Sequence, residues 1–597
     1  MEQGWPYALF ELGDPRDLTP FDTREMPLQS AAPAGHSQGY GYGDEVEMID
    51  HPAANPRSSA DHGMMREKLS AIADVNSADS LENQDETMND ETLKVSKSTA
   101  GDAAGMKRMG KQQQLVRHFR LVSTVSFVAL ATAAWEIGLF VITPGLTDGG
   151  RAGLVWNVLW NIVGFGPIYL SMAEMASMAP IAGAQYHWVS EFAPESCQRI
   201  LSYISGWTST IAWQAGNAQG MFLVGSLIQT MILINDDSYG FPSYQGTLLA
   251  FMAVGIAYCG VVYGNRVLPY WQNAVFVVHV LAYLGYIIPV WVSAPTATHA
   301  QVWTEFENGG GWSSMGLCVL VGQVAGITTQ CGGIDTAAHM SEEVKDASFS
   351  VPRVMVAVYI INALIIFPGV VTIVYHIDDL DAAINDPTTY PAIYVLRGAM
   401  SVGWITVILV LIALLNVASN IVYLAAVTRD LFAFARDRGL PFSRWISKID
   451  DKRHIPVNAT ILSSGVSCLL ALIYIGSPLA FYAITSLGAV ALLQCYSLSI
   501  ACLLWRRIAH PETLPPSKFT LGRWGIPVNA FAVFYGFWSM FWSCWPQTVP
   551  ITAGGFNWAS PIFVAALLIA FLYFAFTARK TYVGPVTEVE GRKEHFR

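Results

Sequence analysis

The sequence predicts an all-α integral membrane fold. It has about twelve transmembrane helices, arranged as two inverted five-helix repeats (spans 1–5 and 6–10) plus two C-terminal helices, with broken helices in spans 1 and 6. Three observations predict it. Only 13% of the 597 residues are charged and 53% are hydrophobic, where a soluble chain carries about a quarter charged. Twelve mostly apolar segments approach the ~20 residues that cross a bilayer core as a helix: 121–145, 153–178, 203–234, 246–265, 270–294, 315–339, 354–376, 401–427, 457–476, 479–505, 526–547 and 559–578. Beyond residue 106, 25 of the 27 Lys and Arg fall on one side of this arrangement, leaving Arg151 and Arg397 on the other. Lys and Arg concentrate on the cytoplasmic side, so both termini are expected in the cytoplasm.

The N-terminal stretch has a different character. Residues 1–106 hold 20 acidic and 7 basic side chains, so the net charge of −11 belongs to this tail. It has no sustained apolar period and too little apolar surface to offset its chain entropy. The expected domains are a disordered acidic tail over 1–118, a twelve-span domain over 119–578 and a cytoplasmic C-terminal tail over 579–597. Lys68, Lys94 and Lys97 make the tail a candidate for ubiquitin and trafficking machinery. No basic-then-apolar leader opens the chain, so span 1 is expected to act as the insertion signal. Helices rather than a barrel follow because backbone groups in lipid are satisfied within a helix, and the alternating pattern of a barrel is absent.

Little points to chemistry. The eight cysteines are scattered with no CxxC pair, which suits small apolar fillers rather than disulfides or a metal site. Gly105–Lys111 resembles a phosphate loop but lacks its final Ser/Thr and a preceding strand. No nucleophile–base set converges. No catalytic residue, metal, cofactor or nucleic-acid partner is expected.

Ionisable residues inside spans are costly, and so are functional candidates. They are Glu136 in Ala133-Ala134-Trp135-Glu136 of span 1, Glu174 in span 2, His279 in span 5, and Asp335 after Thr328-Thr329-Gln330-Cys331-Gly332-Gly333 in span 6. Gly and flanking polar side chains weaken a helix. Breaks in spans 1 and 6, five helices apart, match the design in which a substrate sits at the bilayer midplane between half-helix ends.

Ala173–Pro194, including Glu174, Pro180, His187, Trp188 and Glu191, resembles the signature after span 2 of fungal choline/GABA-type permeases of the amino acid–polyamine–organocation superfamily. Ser205-Gly206-Trp207 with Trp213-Gln214 is similar to their third span. Gly333–Ser348 with Val351-Pro352-Arg353 resembles the end of their sixth. Arg429–Phe442 with Ile455-Pro456-Val457-Asn458 resembles their connection between spans 8 and 9. The likeness runs over roughly 118–580. It implies a secondary active permease of the plasma membrane or an internal membrane, working by alternating access, with a proton as coupling ion and a small amine-bearing solute (an amino acid, GABA or choline) as substrate. A transport-deficient nutrient sensor on the same scaffold is the alternative. Where many relatives have a glycine-rich break in span 1, this chain has Ala133-Ala134-Trp135-Glu136, which favours a substrate whose positive end is strongly read.

The expected substrate site is Ala133, Ala134, Trp135, Glu136, Trp213, Gln214, Thr328, Thr329, Gly332 and Gly333. Glu136 has two readings, as partner of a substrate ammonium or as acceptor of free N–H groups at the second half-helix. Trp135, Trp207 and Trp213 fit either a cation cage or packing. His279, with Asn416 and Ser419 of span 8 as neighbours, is the candidate for proton coupling, because a histidine titrates near working pH; the alternative is a buried neutral histidine. Glu174, Asp335, Glu342, Glu343, Arg429 and Arg438 are the candidates for a cytoplasmic gate, with charges on the two repeats latching one another.

Overall fold

The protein, seen in a computed structural model that describes residues 99–552 and 555–589 (backbone only at 478–485), is helical throughout. Isolated bridges at Phe119–Val344 and Asp148–Asn308 are the extended pairings among the described residues. Eleven helices are long and apolar enough to cross a membrane: Leu121–Thr147, Gly150–Met178, Gln198–Asn235, Ser243–Gly264, Leu268–Ser293, Met315–His339, Ala347–Tyr375, Val402–Arg436, Val457–Gly476, Ser486–Ala509 and Ala559–Phe576. They are spans 1–10 and 12. The helix Gly525–Trp542 stands where span 11 is expected. Its Trp, Tyr, Asn and Ser residues hold it short of the hydropathy of the other eleven.

Span 3 lies at the centre, against spans 4, 8 and 10; span 2 packs on span 7, and span 1 on spans 5, 7 and 8. Small residues bring spans 3 and 8 together, since close helix approach in a membrane requires them. A Cβ at Gly216 would lie 2.4 Å from the Tyr423 hydroxyl, and one at Gly220 would lie 2.4 Å from Asn420 Oδ1. Spans 4, 5, 9 and 12 turn large apolar side chains outward, among them Leu248, Leu281, Leu469 and Leu572. A soluble protein would not expose such a continuous apolar belt; lipid covers it here.

Both expected breaks are present. Span 1 is interrupted at Ala133, in the left-handed region (φ 40°, ψ 47°), between Leu121–Thr132 and Ala134–Phe140. Span 6 is interrupted at Gly332–Gly333, between Val324–Cys331 and Thr336–His339, with Gly333 at φ 93°. A Cβ on Gly333 would sit 2.9 Å from Thr132 Cγ2, so the two breaks lie against each other.

One expectation needs correction. Residues 99–118, which composition places in the disordered tail, are ordered. The helix Ala100–Arg108 is capped by Thr99. Asp102 accepts the Asp346 and Ala347 N–H groups at 2.9 and 3.0 Å, capping the start of span 7. Arg108 pairs with Glu191 at 2.8 Å, and Lys111 with Asp437 at 2.6 Å and Glu588 at 2.7 Å. The charges that made this stretch look soluble are consumed in contacts across the basic end of the bundle. The expectations for residues 1–98, including Lys68, Lys94 and Lys97, lie outside the described residues.

Candidate functional site

A cavity of about 330 Å³ opens beside the two breaks. Its wall is built from spans 1, 3, 6, 8 and 10 and from the connection after span 7. Span 3 contributes Ala212, Gly216, Gln219, Gly220, Leu223 and Ser226, a stripe at helical spacing. Thr132, Ala134, Thr328, Thr329, Cys331 and Gly332 come from the broken helices, and Asn416, Ser419, Asn420 and Tyr423 from span 8. At one end, Phe140 meets Tyr390 edge-on with ring centroids 4.8 Å apart, and the Tyr390 hydroxyl lies 3.0 Å from Ser226 Oγ. Among the described residues, the lining includes no Asp, Glu, Lys, Arg or His.

The expected substrate residues therefore divide. Ala134, Thr328, Thr329 and Gly332 line the cavity. Ala133 and Gly333 shape it as the two residues of positive φ at the breaks. Trp135 and Glu136 are in the half-helix after the break but face span 5. Trp135 stacks on Tyr286 with centroids 6.1 Å apart, and Glu136 Oε1 is 2.6 Å from His279 Nδ1. Trp213 lies beneath the cavity, edge-on to His339 and packed on Tyr423. Gln214 is one residue round the helix and donates to Ser463 Oγ of span 9 at 2.8 Å. Trp207 packs on Tyr203 and Tyr573. Helical phase decides these cases: neighbours in sequence are about 100° apart.

His279 is also placed differently from expectation. Its partners come from span 1: Glu136 at 2.6 Å and the Trp135 indole N–H at 3.3 Å, all three side chains being buried. With a hydrogen on Nδ1 the ring donates to the carboxylate, and without one Nδ1 accepts from the indole, so the tautomer selects between the two contacts. Asn416 and Ser419 are in the cavity wall instead, where Asn416 donates to Ile412 O at 3.0 Å.

At the basic end spans 6 and 8 are laced together. Arg429 donates to Glu343 at 2.7 Å, and Arg436 grips Glu342 with two bonds of 2.8 and 3.0 Å. Bidentate Arg–carboxylate geometry is among the stronger polar contacts. Burial pushes the Glu342 carboxyl up, but the Arg436 charge and hydrogen bonds outweigh it and hold it below the ordinary carboxylate value. Asp437 is held low in the same way, with Lys111 and Arg436 overcoming its burial. Arg117 reaches into the turn after span 6, donating to Ser341 O at 2.9 Å. Arg438, expected in this set, is exposed in a left-handed turn (φ 61°) and makes no ion pair among the described residues. Glu174 is outside this lacing: it binds Arg507 near the end of span 10 and accepts the Leu521 N–H, joining span 2 to span 10 and the segment after it. Asp335 sits between the cavity and this layer and accepts from Gln185 Nε2 at 2.8 Å. The sequence reading missed Gln219 and Tyr390 in the wall and Lys111 and Arg117 in the lacing. It also missed the partners of Asp335, although His339 is four residues on, the spacing at which helix side chains meet.

The model of a family described as amino acid permease matches residues 121–569. Amino-acid permease BAT1 of Arabidopsis thaliana is 27% identical, over 81% of this chain and 96% of its own length. An uncharacterized amino-acid permease of Schizosaccharomyces pombe is 26% identical, over 81% of this chain and 90% of its own. A solved manganese transporter of Eremococcus coleocola superposes with a TM-score of 0.49 at 13% identity, covering 77% of this chain and 94% of that one.

Proposed function

The chain belongs to the amino acid permease family, and from that premise we propose that it is a secondary active, proton-coupled permease for a small net-neutral zwitterion, an α-amino acid or GABA, working by alternating access. The observation that carries the reading is the cavity at the crossing of two interrupted helices, apolar with Thr, Ser, Asn and Gln side chains and without charge among the described residues. A zwitterion brings its own compensating charge. A cation such as choline or a polyamine would leave a net charge buried with no counter-ion among the described residues of the wall, at a cost of several kcal/mol. This departs from the expectation that the positive end is read by Glu136, whose carboxylate is engaged by His279.

The basic end, closed by Arg429–Glu343 and Arg436–Glu342, is the cytoplasmic side in this reading, by the distribution of Lys and Arg. Phe140 and Tyr390 then form the outer lid. Glu136 and His279 couple protons: a proton shared by the pair neutralises the carboxylate between spans 1 and 5, and its loss favours their separation. The experiment is uptake into proteoliposomes under an imposed pH gradient. Neutral amino acids or GABA should accumulate, and neither choline nor putrescine should compete. His279→Gln should abolish accumulation while leaving exchange. Choline uptake that outcompetes every zwitterion would overturn the substrate class. Specific binding without transport of any member would instead favour the sensor.

A further inference from the structure

Below the cavity floor lies a second buried group of titratable side chains, separate from Glu136 and His279. Asp335, His339 and Asp430 are all at most 1% exposed. His339 Nε2 is 3.6 Å from Asp335 Oδ2, and His339 Nδ1 is 3.8 Å from Asp430 Oδ1. The imidazole therefore stands between two carboxylates, one on span 6 and one on span 8.

The hydrogen bonds fix which nitrogen exchanges a proton. Nδ1 is 2.9 Å from the Ala182 carbonyl, an acceptor, so Nδ1 carries a hydrogen. That leaves Nε2, which has no hydrogen-bond partner among the described residues. In the neutral tautomer its lone pair confronts the Asp335 carboxylate, whose Oδ1 is also buried without a partner. A lone pair facing a carboxylate, with Nε2 and Oδ1 both buried and without a hydrogen-bond partner among the described residues, is a costly arrangement. One proton on Nε2 removes it, turning the confrontation into a charge-assisted contact and placing a cation between two anions. Asp430 is already held by Ser209 Oγ at 2.9 Å and Thr210 Oγ1 at 3.3 Å, and Asp335 by Gln185.

Among the described residues, the other groups facing the site are uncharged at neutral pH. From span 2 the site faces the Tyr169 hydroxyl, from span 10 Tyr496 and Cys495, from span 8 Tyr423, from span 6 Cys331, and from span 3 the Trp213 ring. The nearest guanidinium groups are committed elsewhere, Arg429 to Glu343 and Arg436 to Glu342. The group is also wired to that lacing. Ala182, whose carbonyl holds His339, donates its N–H to Glu342 Oε1 at 3.3 Å, and Asp430 is the residue after Arg429.

We infer that Asp335, His339 and Asp430 form a proton-binding site whose bound proton holds the basic end of the bundle closed. With the proton on Nε2, spans 6 and 8 are drawn together through one imidazolium. Its departure leaves two carboxylates on facing spans with a neutral ring between them, and the basic end opens. The step is a proton transfer from Nε2 to water at the basic end, with no other bond changed. This inference goes beyond coupling at His279 and stands if that pair proves structural.

The test needs no knowledge of the substrate. Ser341→Cys places a thiol in the buried turn after span 6, where Arg117 and Val344 cover it. Its alkylation by a small maleimide, followed by peptide mass spectrometry on full-length protein in proteoliposomes, reads opening of the basic end. Divided by the rate of a freely exposed thiol at the same pH, which removes the pH dependence of the thiolate itself, the rate is expected to rise about tenfold between pH 5.5 and pH 8, one decade being the population change for one unit of pKa difference. Asp430→Asn, which keeps the Ser209 and Thr210 contacts, and His339→Gln should each flatten that pH dependence, and His279→Gln should leave it intact. A pH dependence unchanged in Asp430→Asn and His339→Gln would overturn the inference, as would one abolished only by His279→Gln. Should His339→Gln fail to give a monodisperse protein, Asp430→Asn and Asp335→Asn decide the matter alone.

Discussion

Span 1 and span 6 are broken at the same depth and held there by different means. Span 6 breaks on Gly332–Gly333, where φ 93° suits a residue without a Cβ and where Thr132 leaves no room for one. Span 1 breaks on Ala133, which adopts φ 40° with its side chain in place. An L-residue there costs roughly 1–2 kcal/mol, so the surroundings impose the conformation. Asn362 of span 7 donates to Thr132 Oγ1 at 3.0 Å, and Glu136 is tied to span 5. A glycine-rich break is a local property of the chain. An alanine break is a tertiary one.

The ends of the two spans differ in the same sense. Span 6 is followed by Glu342 and Glu343, each buried against an arginine of span 8. Span 1 is followed by Asp148, fully buried, whose Oδ1 receives the weak Cys318 thiol at 3.5 Å and which has no ion-pair partner among the described residues. Burial lifts the Asp148 carboxyl to about 6, against the pull of hydrogen bonding by Cys318, Trp312 and the Gly310 backbone. One end carries paired anions and the other a carboxyl that folding prefers neutral.

Four experiments sharpen this contrast. The largest effect is expected at the paired end. Arg429→Met leaves Glu343 buried and alone, and removing one partner of a buried pair costs about 3–5 kcal/mol. Thermal unfolding in detergent, followed by tryptophan fluorescence, should show the loss. Arg429→Met with Glu343→Leu should recover most of it, and a double variant as unstable as the single one would mean the pair is not what binds spans 6 and 8.

Gly333→Ala comes next. A left-handed backbone together with overlap on Thr132 is expected to cost about 2–4 kcal/mol and to stop transport. Wild-type stability and uptake would show that the break tolerates a Cβ.

The reciprocal change, Ala133→Gly, should stabilise the fold by about 0.5–1 kcal/mol, the relief of the left-handed alanine less the extra freedom of glycine in the unfolded chain. A loss instead would show that the Ala133 methyl packs usefully.

The smallest effect separates the two ends by pH. Asp148 binds its proton more tightly folded than unfolded, so its neutral form is stabilising below the unfolded value near 4, and that contribution is lost as pH rises through about 6. Asp148→Asn should therefore raise the melting temperature above pH 6 and leave it little changed at pH 4. Glu342, held low, has the opposite sign: its contribution is present above the ordinary carboxylate value and lost as pH falls through the depressed one. Glu342→Gln should destabilise at pH 7 and progressively less under strong acid. Equal behaviour of the two variants across pH would erase the distinction.

The sequence by itself determined the class of protein, the span order and the two breaks. Hydrophobic run length and glycine content are properties of contiguous residues, and the bilayer imposes them locally. The charges of the basic end were visible too, in Glu342, Glu343 and Arg429, as candidates to latch one another, although which arginine meets which glutamate was not. Only the tertiary structure decided which residues face the cavity. Trp213 and Gln214 are neighbours in sequence yet lie one beneath the floor and one against span 9, because a helix turns about 100° per residue. It decided that Glu136 answers His279 rather than a solute, a contact between residues 143 apart. It decided that residues 99–118, soluble by composition, are part of the bundle: Asp102, Arg108, Lys111 and Arg117 find partners on the turns after spans 2, 6 and 8. A charge reads as solvated until its counter-charge is brought beside it, and only folding does that.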